Sequence, residues 1–205
     1  NKRVVLIDNS KDDNYFAFLK KLKIDVIRCT YSESARDRIV RSRNILRDIV
    51  LNENYDYFLS LEQDVIPPSG IIERLLKHNK DIISGVYFAR IKSLKDKKVK
   101  LLPLLWTWKE GSSDPYTMAD INLKIVMENN FLKIKYCGLG CLLISRKVLE
   151  KVKFRFDPNF VAYDDLFFCQ DARDNGFEIY ADTSVKCKHL ILNRPWSWDD
   201  IQNSR

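Results

Sequence analysis

The chain has 205 residues and a formal net charge of +7, and 45% of its residues are hydrophobic and 31% charged. That composition excludes a disordered chain, and no apolar run approaches the roughly 20 residues that a membrane-spanning helix needs. The length suits one α/β domain with a full core, or one domain plus an appendage. The basic excess predicts an anionic partner without choosing among a nucleotide, a nucleic acid and an acidic lipid surface.

The first half of the chain alternates apolar strands with amphipathic helices over short connections. The predicted strands cover residues 3–7, 24–27, 55–61 and 81–87. The predicted helices cover residues 12–22, residues 34–51 and a segment that begins near Pro68. This order predicts a largely parallel sheet with helices on both faces, and such sheets bind ligands beyond the carboxyl ends of their strands.

The second half of the chain is less regular. Residues 91–130 are rich first in lysine, then in tryptophan and then in turn formers, which predicts hairpins over the ligand-binding edge rather than a second domain. Beyond them, the predicted strands cover residues 131–136, 142–144 and 178–180. The predicted helices cover residues 146–152 and 162–175, and Gly176 is a typical residue to end the second of them.

The five cysteines are an odd number in a chain of this size, which is typical of a reducing compartment rather than a disulfide framework. We therefore expect a cytoplasmic protein. Cys137 and Cys141 have a spacing that zinc ligands can share, but no second close pair follows. Buried free thiols are the preferred interpretation of the pair.

Two carboxylates stand one residue apart where the third predicted strand ends, in Leu61-Glu62-Gln63-Asp64. Alternate residues of a strand point to the same side, so Glu62 and Asp64 can converge on one point. Converging anions repel each other unless a cation lies between them, and Mg²⁺ or Mn²⁺ is the natural candidate. The alternative is a solvated acidic turn, because an acid-x-acid triplet is common by chance.

A metal site would need two further polar clusters to meet this triplet. Asp164 and Asp165 stand at the start of a predicted helix, where carboxylates also serve as caps without any chemistry. His189 ends an apolar and basic segment, and a single histidine is more often structural than a metal ligand.

Four segments follow one another along the chain: residues 4–10, which end in Asp8-Asn9-Ser10; residues 38–64, which end in the acidic triplet; residues 137–146, which contain Gly138 and Gly140; and residues 164–189, which run from Asp164-Asp165 to His189. Together they resemble the nucleotide-sugar glycosyltransferases with the GT-A fold, of the large inverting, family-2-like class. Each motif is weak alone, but four in this order are fairly specific. The resemblance implies a Rossmann-like, mostly parallel sheet flanked by helices, with a hairpin-rich insertion.

The resemblance also implies one catalytic domain over residues 1–205. Its parts would be a nucleotide-sugar-binding half at 1–90, the insertion at 91–130, an acceptor and catalytic half at 131–192, and a tail at 193–205. The implied activity is metal-dependent transfer of a sugar from a UDP- or GDP-linked donor to an acceptor hydroxyl, with inversion. The metal would be Mn²⁺ or Mg²⁺. The acceptor would be a glycan, a protein or a lipid carrier.

Roles for individual residues follow from the same resemblance. The base and ribose would contact Asp8, Asn9 and Ser10, and the diphosphate would contact Arg38 and Arg43, whose forked guanidinium groups suit phosphate. The metal ligands would be Glu62, Asp64 and His189. Asp165 would be the catalytic base with Asp164 beside it, and the acceptor side would include Gly138, Gly140 and Trp106. For the other arginines of the same helix, Arg36, Arg41 and Arg47, a solvated face is the simpler interpretation.

The chain departs from the family pattern in three places. Almost nothing precedes residue 4 where the family has another strand, so the chain is either truncated or a trimmed version of the fold. Glu62 stands where aspartate is usual, so we expect Asp64 and His189 to hold the metal, with Glu62 acting through water. Asp164 stands where glutamate is common, which makes Asp165 the closer match to the base.

Other interpretations of the sequence remain open. A sugar-phosphate nucleotidyltransferase uses a related sheet, although no glycine-rich phosphate loop is visible here. A basic nucleic-acid-binding protein would explain the charge but gives no reason for the acids and His189 to gather, and we expect no nucleic-acid partner. A transferase fold that has lost its activity is a third option.

Trp106 and Trp108 could stack on an acceptor sugar, although packing is the simpler role for at least one. Lys92–Lys100, Trp196 and Trp198 could touch a membrane surface, although a solvated loop and a packed tail are the simpler interpretations.

Overall fold

A five-stranded mixed sheet lies at the centre of the molecule, in a computed structural model that describes residues 2–114, 117–191 and 194–195. The strands are β1 Leu6–Asp8, β2 Val26–Arg28, β3 Tyr57–Leu61, β4 Val65–Ile66, β5 Ile82–Val86, β6 Phe88–Lys92, β7 Val99–Pro103, β8 Leu105–Trp108, β9 Met118–Asp120, β10 Phe131–Ile134, β11 Tyr136–Cys137, β12 Cys141–Ser145, β13 Ile179–Lys186, β14 Lys188–Ile191 and β15 Arg194–Pro195. The helices are α1 Asn14–Lys21, α2 Ala35–Asn52, α3 Ile71–Leu76, α4 Leu123–Met127, α5 Arg146–Lys151 and α6 Asp164–Asp174.

The strand directions overturn the prediction of a mostly parallel sheet. The strand order is β10-β13-β5-β12-β3, and β13 with β5 is its parallel pair, whereas β10 with β13, β5 with β12 and β12 with β3 are antiparallel. The strands β3 and β5, which α3 connects, do run in the same direction. However, β12 lies between them and runs against both. All five residues of β12 are buried, as are all five of β5, so both strands suit the middle of the sheet.

Helices cover both faces of this sheet, as the alternation of elements predicts. On one face, α2, α5 and α6 pack against Ile82, Ile144 and Ile179. On the other face, α3 packs against Ile83 and Leu143. Neighbouring residues of a strand point to opposite faces, which is why Ile82 and Ile83 belong to different clusters.

The N-terminal elements form a separate small unit beside the sheet. Strands β1 and β2 pair in parallel with each other, and α1 connects them. Helix α2 begins where the sequence predicts, and the side chain of Ser34 accepts a hydrogen bond from the Asp37 N–H at 3.3 Å. The carboxyl ends of β1 and β3 carry Asp8 and the acidic triplet.

Hairpins make up most of residues 91–130 that the structure describes. Strand β6 pairs with β7, β8 pairs with β9, and β11 joins the other edge of β8. The short helix α4 in this region was not predicted, although Asn122 caps it by accepting a hydrogen bond from the Lys124 N–H at 2.9 Å.

A short antiparallel ladder links the end of the chain to the acidic triplet. Strand β14 pairs with β4, and His189 stands opposite Val65. The Leu190 N–H also donates to the Asp64 carbonyl at 2.7 Å. This ladder brings the C-terminal strand to the place where β3 ends.

All five cysteines are buried and free, which confirms the preferred interpretation of Cys137 and Cys141. No helix among the described residues has the length and apolar character to cross a bilayer. Trp196 and Trp198 lie outside the described residues.

Candidate active site

Asp64 and His189 meet beyond the carboxyl end of β3. The His189 Nε2 lies 3.2 Å from Asp64 Oδ2, and the other ring nitrogen, Nδ1, lies 2.6 Å from the Phe88 carbonyl oxygen. The pairing of β4 with β14 brings the two side chains together, because it places His189 opposite Val65, the residue that follows Asp64. Two of the predicted metal-ligating residues are therefore in contact.

The Phe88 carbonyl determines which nitrogen of His189 carries the proton. A carbonyl oxygen only accepts, so Nδ1 must donate to it, and the neutral ring then presents the lone pair of Nε2 to the Asp64 carboxylate. Two acceptors at this distance need a proton or a cation between them. Holding a ligating histidine through its other nitrogen is a common device in metal sites.

Glu62 binds an arginine. Its carboxylate lies 2.5 Å from Nη2 of Arg43, whose Nη1 lies 2.6 and 2.5 Å from the two oxygens of Asp164. Arg43 and Asp164 are both buried. Burial raises the pKa of Glu62 and the charge of Asp64 adds to the rise, while Arg43 opposes it. Burial also lowers the pKa of Arg43, but Asp164 and Glu62 outweigh that effect and raise it.

Asp165 is the next residue along, in the first turn of α6. Its Oδ1 accepts the Leu166 N–H at 2.8 Å. Burial raises the pKa of Asp165 to about 6; Asp164 and Glu62 add to the rise, whereas the Leu166 N–H and Arg43 oppose it. A carboxylate that titrates close to neutral pH is suited to accept and release a proton.

Tyr87 is a member of this cluster that the sequence analysis missed. Its buried ring meets the His189 ring edge to face, with centroids 5.4 Å apart, and its hydroxyl accepts the Gly140 N–H at 2.8 Å. Burial, followed by the charge of Glu62, raises the pKa of Tyr87 well above its ordinary value. Only its position one residue after β5, at the carboxyl edge of the sheet, could have identified it from sequence.

The glycines at 138 and 140 are explained by Tyr87. A Cβ on Gly140 would lie 2.7 Å from the Tyr87 hydroxyl oxygen and 2.8 Å from Glu62 Oε2, and a Cβ on Gly138 would overlap the same hydroxyl. These glycines therefore leave room for the tyrosine and the glutamate of the site. An acceptor role for them stays a prediction.

Apart from Arg43, the predicted nucleotide-binding residues lie at two other places. Asp8 is buried, with Oδ2 2.8 Å from Arg28 Nη1, and its Oδ1 accepts hydrogen bonds from the Ser10 N–H at 3.1 Å and the Ser10 hydroxyl at 2.5 Å. Asn9 donates to the Ser42 hydroxyl at 3.1 Å. Arg38 donates to the Ser32 and Glu33 carbonyls and lies over the Tyr31 ring.

The two tryptophans of the insertion have different surroundings. Trp106 packs against the main hydrophobic core and pairs with Tyr136, whereas Trp108 is 42% exposed beside the Lys133 ammonium. Packing is therefore a sufficient role for Trp106.

Among the described residues, no group of three or more His, Cys, Asp and Glu side chains is arranged to hold a metal ion. Asp64 and His189 supply two ligands, one carboxylate oxygen and one imidazole nitrogen, which are types that Mn²⁺ accepts and Mg²⁺ accepts in part. The remaining ligands of such an ion would have to come from a bound diphosphate or from water. The donor chemistry of the pair fits a divalent cation.

No protein-family model and no curated protein matches the chain. Among solved structures, it is similar to A197 from STIV, with 23% identity and a TM-score of 0.55 over 97% of this chain and 91% of that one. It is also similar to GalNAc-T7, solved with UDP, GalNAc and Mn²⁺, with 11% identity and a TM-score of 0.59. That match covers 91% of this chain and 37% of the other, so the chain spans little more than a third of GalNAc-T7. At these identities the similarity shows a shared fold, and one of the two neighbours is a glycosyltransferase.

Proposed function

We propose that this chain is a metal-dependent glycosyltransferase that moves a sugar from a nucleotide-diphosphate donor to an acceptor hydroxyl with inversion. The observation that carries the proposal is the meeting of Asp64 and His189 next to the cluster that contains Asp165. Three segments that are distant in sequence meet there, beyond the carboxyl end of β3. The fold shared with a neighbour that was solved with UDP, GalNAc and Mn²⁺ supports the same chemistry.

Asp64 and His189 would hold the cation, Mn²⁺ or Mg²⁺, which when bound supplies positive charge beside the diphosphate of the donor. The Phe88 carbonyl keeps the ring of His189 oriented for this role, because it fixes the Nδ1 proton. Glu62 pairs with Arg43 instead.

Asp165 would act as the general base. Its carboxylate takes the proton of the acceptor hydroxyl while that oxygen forms a bond to the anomeric carbon of the donor. The bond from the anomeric carbon to the diphosphate oxygen breaks at the same time, and the electron pair leaves with the nucleoside diphosphate. Attack from the face opposite the leaving group inverts the anomeric configuration.

The donor and acceptor would bind on opposite sides of this cluster. Asp8, with Asn9 and Ser10, would contact the base and ribose of a UDP or GDP donor from the carboxyl end of β1. The glycine segment with Gly138 and Gly140 would lie on the acceptor side, and Trp106 would border it. The acceptor would be a glycan, a protein or a lipid carrier.

A panel of UDP- and GDP-linked sugars with Mn²⁺ tests this proposal. We expect one donor to raise the melting temperature in the presence of Mn²⁺ and to release free nucleoside diphosphate when a suitable acceptor, or water, is present. Release of pyrophosphate from a nucleoside triphosphate and a sugar phosphate would instead identify a nucleotidyltransferase. Absence of stabilisation by every nucleotide sugar would overturn the proposal.

A further inference from the structure

Helix α2 presents a row of arginines to one segment of the chain. Arg36, Arg43 and Arg47 are spaced by seven and four residues, which places them on one face of the helix. Arg36 donates to the Asp157, Phe160 and Ala162 carbonyls, and Arg47 donates to the Leu149 carbonyl at 2.7 Å and the Val152 carbonyl at 3.1 Å. A solvated face is therefore the wrong interpretation for Arg36 and Arg47.

Arg41 shows what an exposed arginine of the same helix does. It pairs with Asp37 one turn earlier, and its side chain is 49% exposed. Exposed pairs of this kind contribute little to stability. The prediction of a solvated arginine fits Arg41.

Arg43 lies between Arg36 and Arg47 in this row and contacts carboxylates instead of carbonyls. Its Nη1 is committed to both oxygens of Asp164, and its Nη2 to Glu62. Asp164 is the first residue of α6, and Asp165 is the second. Glu62 follows the last residue of β3. One buried guanidinium thus ties the start of α6 to the end of β3.

We infer that Arg43 is a positioning residue that holds Asp165 at the end of β3, and not a ligand of the donor diphosphate. This inference rests on the proposed function. Both terminal nitrogens of Arg43 already contact carboxylates and the residue is buried, so little of the guanidinium group is left to meet a phosphate. The guanidinium group contacts one carboxylate through each terminal nitrogen, so its rigid fork fixes the distance between the two carboxylates. A single ammonium group cannot do this.

Kinetics and donor binding separate the two roles. Arg43→Lys keeps the charge but loses the fork, so we expect kcat to fall by roughly 10- to 100-fold, as displaced catalytic groups commonly cause. The dissociation constant for UDP in the presence of Mn²⁺ should stay within about twofold of the wild-type value. Arg41→Met, which removes an exposed charge from the same helix, should leave both quantities unchanged. A tenfold or greater loss of UDP binding in Arg43→Lys, with unchanged kcat, would overturn the inference.

Thermal unfolding tests the same contact without any activity. Arg43→Met leaves Asp164 buried without its partner, so we expect the melting temperature to fall by about 10 °C. Adding Asp164→Leu removes the unpaired charge and should recover at least half of that loss. Equal melting temperatures of the single and double variants would show that the pair does not act as a unit. If the wild-type chain binds no nucleotide sugar while the recovery is observed, then the proposed function fails and the tie between α6 and β3 stands.

Discussion

Two acidic sites at the carboxyl ends of strands differ in how their charge is compensated. At the end of β1, Asp8 is buried and has a full set of local partners, Arg28 and Ser10. Beyond β3, the carboxylates are Glu62, Asp64, Asp164 and Asp165. Among the described residues, the basic side chains that contact them are Arg43 and His189.

The difference shows how a carboxylate suited to hydrogen bonding can be told from one suited to hold a cation or move a proton. Asp8 is neutralised within its own small unit by Arg28. The second site holds more negative charge than its basic neighbours offset, and burial raises the pKa of both Glu62 and Asp165. Excess charge of one sign in a partly buried cluster is typical of sites that bind a cation or move a proton.

The largest expected effect comes from the base. Asp165→Asn removes the proton acceptor, so we expect transfer to fall by about 10²- to 10⁴-fold, while UDP binding with Mn²⁺ stays unchanged. In the wild-type chain, kcat/KM should rise with pH through about 6, because Asp165 must lose its proton to act. Initial rates with a donor from the nucleotide-sugar panel measure both effects. Normal transfer by Asp165→Asn would show that another group is the base.

The next effect concerns the cation. Asp64→Asn weakens one of the two proposed ligands, so we expect Mn²⁺-dependent UDP binding to weaken by roughly 10- to 100-fold in isothermal titration calorimetry. Asp48→Asn, an exposed acid on α2, serves as the matched control and should bind UDP as the wild-type chain does. If Asp64→Asn binds UDP with the same dependence on Mn²⁺, the ion does not lie at this pair.

The glycine segment allows a packing test of the same site. Gly138→Ala would place a methyl group on the Tyr87 hydroxyl, so we expect a loss of about 1–3 kcal/mol in the free energy of unfolding. Tyr87→Phe removes that hydroxyl. The atoms then nearest to the new methyl group would be the ring carbon Cζ of residue 87, at 3.1 Å, and Leu104 Cβ, at 3.2 Å. The two substitutions together should therefore cost less than the sum of their separate costs in denaturant unfolding. Strict additivity would contradict this account of Gly138.

The smallest effect is on the pH dependence of stability. The pKa of Asp165 is raised from 3.8 to about 6 in the folded chain, so its charged form opposes folding. This unfavourable contribution is absent below about pH 4 and complete above about pH 6. We therefore expect the free energy of unfolding of Asp165→Asn to exceed that of the wild type by about 1–3 kcal/mol at pH 8. This difference should shrink towards pH 4. A gain that does not change with pH would have another cause.

Short-range patterns in the sequence were enough for much of the fold. Helix α2 begins after Ser34 as its capping pattern predicts, and α6 ends just before Gly176, whose φ is +83°. Hydrophobic period, caps and turn residues act within a few positions, so they can be interpreted locally. The same reasoning identified the acids after β3 and those that begin α6.

The strand directions and the partners of the site residues were decided by the tertiary structure. Strand β12 is apolar on both faces, and nothing in its own residues says that it will separate β3 from β5 and run against both. His189 is 125 positions from Asp64, and Arg43 is 121 positions from Asp164. Such contacts depend on how sheets and helices pack over the whole chain. The sequence alone therefore does not tell whether an arginine contacts a diphosphate, a carboxylate or backbone carbonyls, because tertiary packing determines its partner.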